Sequence, residues 1–339
     1  MGSVRVIALI LRRLQRLIPV LIGVSVLCFA LIRVLPGDPI LSIVPETATA
    51  EDIQRMRVKY GLDKSIGAQY FEYMKGVLQG NFGTSIQTNR PVFEQIRERL
   101  PRTLELIGYG FLFALILSLF LGFVSAAKVG KSADHTSRLV VLIGNSLPEF
   151  WFALVLILVF FGWLDWAPAP IGRIDSNLGF QPITGFLTLD ALITGNWEAY
   201  RSALSHLILP VITLGIVGAA PMMRSVRASA LEVMGSPGYR CAVAHGMKSG
   251  ELFWKYVFRE SIVPLPVLAG LIFGNLIGGS VLIEYVFSWQ GFGQWALRGL
   301  LLRDYPVIQG FVLVTALFYV IIFLIADILQ AVLDPRVRV

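Results

Sequence analysis

The stretch LELIGYGFLFALILSLFLGFVSAA, Leu104–Ala127, decides the fold. Its only charge is Glu105, and its apolar residues cover every side rather than alternating as in a half-buried strand. About 20 such residues cross the hydrocarbon core of a bilayer as one helix. A helix bonds each backbone N–H and C=O inside its own segment, which lipid demands. Five further stretches answer the same description: Leu17–Leu35, Leu139–Trp163, Leu204–Met223, Ile262–Val286 and Val307–Leu329. None alternates over ten residues like the strands of an outer-membrane barrel.

Composition agrees with this reading. Of the 339 residues 55% are hydrophobic and 15% charged, where a soluble domain carries about 25% charge. Mean hydropathy is +0.71. A chain of this kind is neither disordered, nor fibrous, nor an ordinary soluble enzyme, because lipid must cover part of its apolar surface. The two cysteines, Cys28 and Cys241, exclude a disulfide scaffold and a cysteine zinc cluster. The net charge of +7 fits loop cations that set topology, and no nucleic-acid partner is expected.

Lys and Arg then orient the spans. With the N-terminus inside, the inner flanks hold Arg5, Arg12, Arg13 and Arg16, then Lys128, Lys131 and Arg138. They also hold Arg224, Arg227, Arg240, Lys248, Lys255 and Arg259, then Arg336 and Arg338. The two shorter outer loops hold only Arg173, Arg201, Arg298 and Arg303. The predicted fold is therefore an all-α membrane protein with six transmembrane helices and both termini cytoplasmic, one domain over residues 1–339. Basic residues before the first span mimic a secretory signal, but Ile32-Arg33-Val34-Leu35-Pro36 offers no small-residue cleavage site, so the span reads as a retained anchor.

The loops have their own structure. The first outer loop, residues 36–102, carries helix punctuation. Thr49-Ala50-Glu51-Asp52 resembles a capping box, with Ile53, Met56 and Tyr60 at helical spacing and Gly61 as a stop. A second run has Tyr70, Met74, Val77 and Leu78 before Gly80. A third starts at Pro91, with Val92, Ile96 and Leu100 on one face. This extracytoplasmic helical loop is either a cap packed on the spans or a docking surface. In the other outer loops Trp163, Trp166, Trp197, Trp289 and Trp295 suit an interfacial aromatic belt. The long inner connection, residues 224–261, reads as two short helices, Arg240–Gly246 and one opening at Ser249-Gly250-Glu251. In the second, Leu252, Phe253, Tyr256 and Val257 share a face opposite Glu251, Lys255 and Arg259. It is either an interfacial hairpin or a lever for a cytoplasmic partner.

Two features inside the spans bear on function. Glu149 lies about ten residues from either end of its span, where a carboxylate facing lipid costs on the order of 3 kcal/mol. It must face the bundle interior or a water-filled cavity, or stay protonated. Pro148 predicts a kink, and Asn145 sits four residues earlier on the same face, within reach of Glu149. Gly270, Gly274 and Gly278 recur every fourth residue and give a small-residue face for close packing, inside this chain or against another.

Catalytic chemistry is not written in the chain. His135, His206 and His245 lie in separate segments with no carboxylate or cysteine at ligand spacing, and there is no nucleophile elbow or HExxH. Ser125-Ala126-Ala127-Lys128-Val129-Gly130-Lys131-Ser132 approaches a phosphate-binding P-loop, but Ser replaces the first Gly and no parallel strand can precede it. The chain thus carries no cofactor or nucleotide site of its own. An ion-coupled secondary carrier remains the rival reading. It calls for inverted repeats and several intramembrane ionisable groups; no repeat is evident, and Glu149 is the one deep carboxylate.

A set of short motifs, in order, resembles the transmembrane permeases of bacterial ABC importers for dipeptides, oligopeptides and nickel, and most closely the B-type permeases of dipeptide systems. They are Arg12-Arg13-Leu14, Pro36-Gly37-Asp38-Pro39, Gly61-Leu62-Asp63, Phe82-Gly83-Thr84-Ser85, Arg99-Leu100-Pro101 and Thr103-Leu104-Glu105-Leu106. His206-Leu207-Ile208-Leu209-Pro210, Arg224-x-x-Arg227, Leu231-Glu232-Val233, Trp289-x-Gly291-x-Gly293, Arg303-Asp304-Tyr305-Pro306 and Asp334-Pro335-Arg336 follow. The resemblance implies a subunit of the bacterial inner (plasma) membrane that pairs with a second homologous permease. It also implies two ATPase subunits holding ATP and Mg, and an extracytoplasmic solute-binding protein that does most of the selecting. The family's ATPase-coupling loop usually reads Asp-Tyr-x-Arg-Thr-Ala-Arg-Ala-Lys-Gly, with a Pro further on. Here Arg240, Ala242, Ala244, Gly246 and Pro264 match, whereas Pro237, Gly238, Val243 and His245 replace the usual Asp, Tyr, second Arg and Lys; the loop segment that the resemblance assigns to coupling includes Arg240, Cys241, Ala242, Ala244, His245 and Gly246. The resemblance places Gly270, Gly274 and Gly278 near the axis between two permeases. It makes Glu149 a departure, since the family usually has a small or apolar residue there.

Overall fold

The computed structural model describes residues 15, 18–30, 49–59 and 63–333, with the backbone alone at 56, 59, 141, 143 and 145. The N-terminal cations, both ends of the first predicted span, the Pro36–Pro39 and Gly61 motifs, Tyr60 and the C-terminal tail lie outside these residues. Among the described residues regular structure is helical throughout, apart from one bridge between Thr84 and Pro91.

The helices are α1 (Ile18–Ala30), α2 (Ala50–Lys59), α3 (Ile66–Leu78), α4 (Val92–Ala127), α5 (Ser132–Ser146) and α6, which runs Glu149–Leu156 and continues as a π-helical turn, Ile157–Trp163. Then come α7 (Leu187–Ile193), α8 (Trp197–Gly235), α9 (Pro237–Ala244) and α10 (Ser249–Leu252). A π turn, Phe253–Phe258, leads into α11 (Arg259–Ser261). The chain ends with α12 (Leu265–Val286), α13 (Phe292–Leu301) and α14 (Tyr305–Leu333). Four of these, α4, α8, α12 and α14, are individually long and apolar enough to cross a membrane.

Several predicted boundaries shift. The third amphipathic run of the first outer loop is not a separate helix: it is continuous with the second span, through Pro101, in the 36 residues of α4. At 1.5 Å per residue α4 is about 54 Å long, well beyond a hydrocarbon core of about 30 Å, so its first turns stand outside the membrane. The 39-residue α8 overshoots its predicted span, Leu204–Met223, at both ends. The third span does not merely kink. Leu147 and Pro148 take extended backbone angles (ψ 138° and 133°) and divide it into α5 and α6. Proline has no N–H for the ladder and its ring displaces the preceding turn.

The outer-loop helices pack on the chain itself. Thr49 and Asp52 form the reciprocal box: Thr49 N donates to Asp52 Oδ2 (3.1 Å), and Asp52 N donates to Thr49 Oγ1 (3.3 Å). In α3, Tyr70 meets Ser25 by a hydroxyl contact of 2.7 Å and Phe29 edge-on at 5.3 Å, both on α1. Val92 and Ile96 are buried with Phe292, Trp295 and Val307.

The centre of the bundle is the parallel pair α4 and α8, with α12 against both and α14 against α12. Gly110, Ala114, Ser118 and Gly122 recur every fourth residue on α4, and all four are buried. A Cβ on Gly110 would lie 3.1 Å from Leu214 Cβ. One on Gly122 would lie 2.7 Å from Val226 Cγ1 and 3.2 Å from the Met223 carbonyl oxygen. Small residues let the two backbones approach, which in lipid is the main source of helix–helix attraction. Gly122→Val should therefore lower stability by about 1–3 kcal/mol, the usual cost of overpacking, read as a lower melting temperature in detergent. Gly108→Ala, whose Cβ meets nothing within 4 Å, should melt like the parent.

Candidate functional site

The candidate coupling segment hangs below α8. The Ser236 side chain caps α9 by accepting from Tyr239 N (3.3 Å). At the other end Gly246 takes φ +74°, while its N–H donates to Val243 O (2.9 Å) and Met247 N donates to Ala242 O (3.3 Å). This is the left-handed stop expected of that glycine. The helix has two sides. Ala242 is 6% exposed and faces the chain, with Tyr239 packed near Ala126, Ala230 and Val257. Arg240, Cys241, Val243, Ala244 and His245 face out. Ala242 and Ala244 thus serve different surfaces, one inward and one outward. His245 Nδ1 lies 2.8 Å from Cys241 O, within its own helix end.

Behind α9 the second half of the connection is wound as a π turn, so Leu252 and Val257, five residues apart, are both buried. Phe253 meets Phe123 of α4 edge-on at 5.2 Å, and Phe258 lies 5.6 Å from the same ring. Glu251 and Lys255 pair on the exposed side at 3.6 Å. The connection is therefore anchored to the ends of α4 and α8 and presents the outward face of α9 beside the exposed side of Glu251, Trp254 and Lys255.

Beside it lies an ionic joint of α4, α5 and α8. Arg227 Nε and Nη2 donate to the two oxygens of Asp134, each at 3.1 Å, and Nε also donates to Ser125 Oγ (2.8 Å). Ser125 Oγ and Gly130 N donate to Asp134 in turn. The Arg227 guanidinium, then these two donors, hold the Asp134 carboxyl well below the usual carboxylate range. Here the P-loop-like stretch has a structural use: Ser125 is spent in this joint, and the Gly130 N–H points at a carboxylate of the same chain.

At the opposite end of the bundle from this joint the matching motifs form clasps. Glu284 at the end of α12 is fully buried; it accepts from Thr103 Oγ1 and from Gln294 N (2.8 Å), and Thr103 Oγ1 accepts from Phe292 N (2.7 Å). A Cβ at Gly291 would lie 2.6 Å from the Glu284 carboxyl carbon, so the Trp-x-Gly-x-Gly motif folds around that acid. Trp289 is 1% exposed and donates to Arg102 O (3.0 Å), and Trp295 donates to Gln95 Oε1 (3.0 Å). These two tryptophans are core residues, not members of an interfacial belt; Trp163, Trp166 and Trp197 are the exposed ones. Arg173 pairs with Glu105, which also accepts from Thr188 N (2.7 Å) and Thr188 Oγ1 (2.6 Å). Ser85 donates to Asp304 Oδ2 (2.6 Å), which joins the Phe-Gly-Thr-Ser and Arg-Asp-Tyr-Pro motifs.

Inside the bundle, Glu149 begins α6 directly after the break. Its carboxyl lies against the backbone of α12: a Cβ on Gly279 would come 2.6 Å from Glu149 Oε2. Among the described residues no group hydrogen-bonds it. The break removes the helical i, i+4 relation to Asn145 on which the expected contact rested; the Asn145 side chain is outside the described atoms. The glycine stripe divides. Gly270 and Gly274 make room for α14, their Cβ positions falling 2.7 Å from Ala326 Cβ and 2.5 Å from Tyr319 Cε1, whereas Gly278 faces open space. Gly279, unremarked in the sequence, is the residue that meets Glu149. Its signal is the Gly278-Gly279 pair, which places small residues on two adjacent faces. Among the described residues no three His, Cys, Asp or Glu gather as a metal site.

The family model described as "Binding-protein-dependent transport system inner membrane component" matches residues 104–339. Its companion, "Binding-prot-dependent transport system membrane comp, N-term", matches residues 6–107. The dipeptide transport system permease protein DppB of Alkalihalophilus pseudofirmus is 37% identical over 98% of this chain and 99% of its own length. DppB of Escherichia coli is 36% identical over 97% and 98%. The oligopeptide transport system permease protein AppB of Bacillus subtilis is 34% identical over 98% and 99%. The chain therefore belongs to the family of binding-protein-dependent transport system inner membrane components, as a transmembrane permease subunit of a bacterial ABC importer rather than an ion-coupled carrier.

Proposed function

We propose that the chain forms one half of the translocation path of an importer for dipeptides or short oligopeptides. The near-full-length likeness to permeases of dipeptide systems carries this reading. The other half is a second homologous permease. ATP and Mg are held by two separate ATPase subunits, and an extracytoplasmic solute-binding protein delivers the cargo. The chain crosses the membrane six times with both termini inside. The four long helices supply four crossings, α5 with α6 supplies one interrupted crossing, and the segment containing α1 supplies the sixth. Loop cations support this orientation.

Topology has a natural reporter. Cys241 is exposed and Cys28 is buried. A membrane-impermeant maleimide should label Cys241 of the unassembled chain in inside-out vesicles and not in right-side-out ones. Labelling from the outer side would overturn the orientation.

The outward face of α9 is the proposed ATPase contact. It is a short rigid helix fixed at both ends, able to pass rigid-body motion to α4 and α8. Since Ala242 is turned inward, Ala244 is the better position for a steric block. Ala244→Trp should leave the protein inserted and folded while ATP hydrolysis no longer drives uptake. Gly246→Pro, which forbids the positive φ and removes a bonded N–H, should do the same. Normal coupled uptake in both variants would sink this assignment.

Glu149 is proposed to border the path and to meet a cationic group of the cargo, the peptide ammonium being the simplest. Its place at the helix break, with no hydrogen-bond partner among the described residues, supports this. Glu149→Gln keeps the shape and removes the charge. KM for peptides with a free ammonium should rise on the order of tenfold, the worth of one hydrogen bond to a charged group, with expression and ATPase assembly unchanged. Equal uptake across a charge series of peptides would leave the carboxyl a packing group only.

A further inference from the structure

Between α5 and α8, at the end of the bundle that carries the Asp134 joint, lies an open groove of about 550 Å³. His135, Arg138 and Arg224 sit at its rim with Arg227 behind them, and Leu139, Leu142 and Met223 form its apolar wall. The charge in it is one-sided. Asp134, the acid packed against it, already has both oxygens bonded to Arg227, and Arg227 is thereby spent. Arg138 reaches Asp134 only at 4.0 Å, from the exposed side. Among the described residues His135 and Arg224 have no ion-pair partner.

The apolar wall gives the groove a direction. Leu139 and Leu142 are 55% and 60% exposed and descend from the cationic rim into the predicted third span. Met223 and Arg224 mark the same boundary on α8, one being the last residue of the predicted fourth span and the other the first beyond it. A free anion needs no such wall, whereas a molecule with a phosphate at one end and hydrocarbon at the other fits both parts. Guanidinium groups suit phosphate because they fork around two of its oxygens.

We propose that this groove binds an anionic phospholipid, with its phosphate against Arg138 and Arg224 and an acyl chain along Leu139 and Leu142. Basic pockets between spans on the inner side of a membrane hold headgroups in this way. The choice of the inner leaflet rests on the orientation proposed above; the binding itself rests on the groove alone.

The test uses the full chain and the assembled importer, each purified in detergent with cardiolipin and phosphatidylcholine in equal amounts, and native mass spectrometry of the lipid retained. The parent should retain cardiolipin selectively. Arg138→Gln with Arg224→Gln should weaken that retention roughly thirty-fold, about fivefold for each cation lost near the surface, with an unchanged melting temperature. The paired Arg→Lys changes should keep most of it. Lys128→Gln with Lys131→Gln, on the neighbouring loop outside the groove, should leave it untouched. Equal retention of phosphatidylcholine, displacement by millimolar inorganic phosphate, or parent-like retention in the double Gln variant would each overturn the proposal. So would loss of the lipid when the importer assembles, which would make the groove a subunit interface. Cysteine labelling from the outer side together with selective retention would uphold the site and overturn only the leaflet.

Discussion

The close approach of α4 to α8 is the contact on which the other helices depend. In a bilayer, apolar surface gains little by leaving lipid for protein, so helices adhere through dense packing instead. Residues 110, 114, 118 and 122 of α4 supply a flat face, and Leu214, Gly218 and Val226 of α8 fill it. Once these two are fixed, α12 has a groove to enter: Ile272 and Leu276 close over Gly218, and α14 then closes over Gly270 and Gly274.

Both ends of this pair are locked by buried ions, and the locks differ in kind. At one end Glu284 and Glu105 are wrapped by hydroxyl and backbone donors from α4, α13 and α7. Carboxylates removed from water need every lone pair answered, so these acids dictate the course of the loops around them. At the other end Asp134 and Arg227 tie α5 to α8 through a bidentate pair, the strongest common form of ionic contact. Removing one member of such a joint leaves the other uncompensated. The middle of the bundle, by contrast, holds Glu149 at a broken helix, where no described group hydrogen-bonds it.

The inner connection links these parts mechanically. α9 rests on Val257, Ala126 and Ala230, and the π turn stacks its aromatic rings on Phe123. A push on the outer face of α9 therefore reaches α4 and α8 through packed side chains with few soft joints. Packed cores shift between discrete arrangements more readily than they deform.

Much of this was legible along the chain. Apolar runs of about 20 residues report membrane helices because the bilayer sets their length, and Thr49-x-x-Asp52 and Gly246 report helix ends because caps act over three or four residues; the Ser236 cap, which starts α9 ahead of the expected Arg240, is seen only in the fold. Glu149 stood out because a lone acid in an apolar run is costly wherever it points. What only the tertiary structure decided were contacts between residues far apart in sequence. Gly291 and Gly293 stand in one short motif, but only the fold brings Glu284 against both. Trp289 and Trp295 looked interfacial until Arg102 and Gln95 were seen to take their N–H groups. The glycines of α12 gave no hint of which would face α14 and which Glu149, since a period of four leaves the direction of the stripe open. Pro148 announced a disturbance, but the full break, and with it the loss of the Asn145 register, followed from how α5 and α6 each pack on α8. Local rules set lengths, ends and charges; partner choice arises from the fit of whole surfaces, which no short stretch contains.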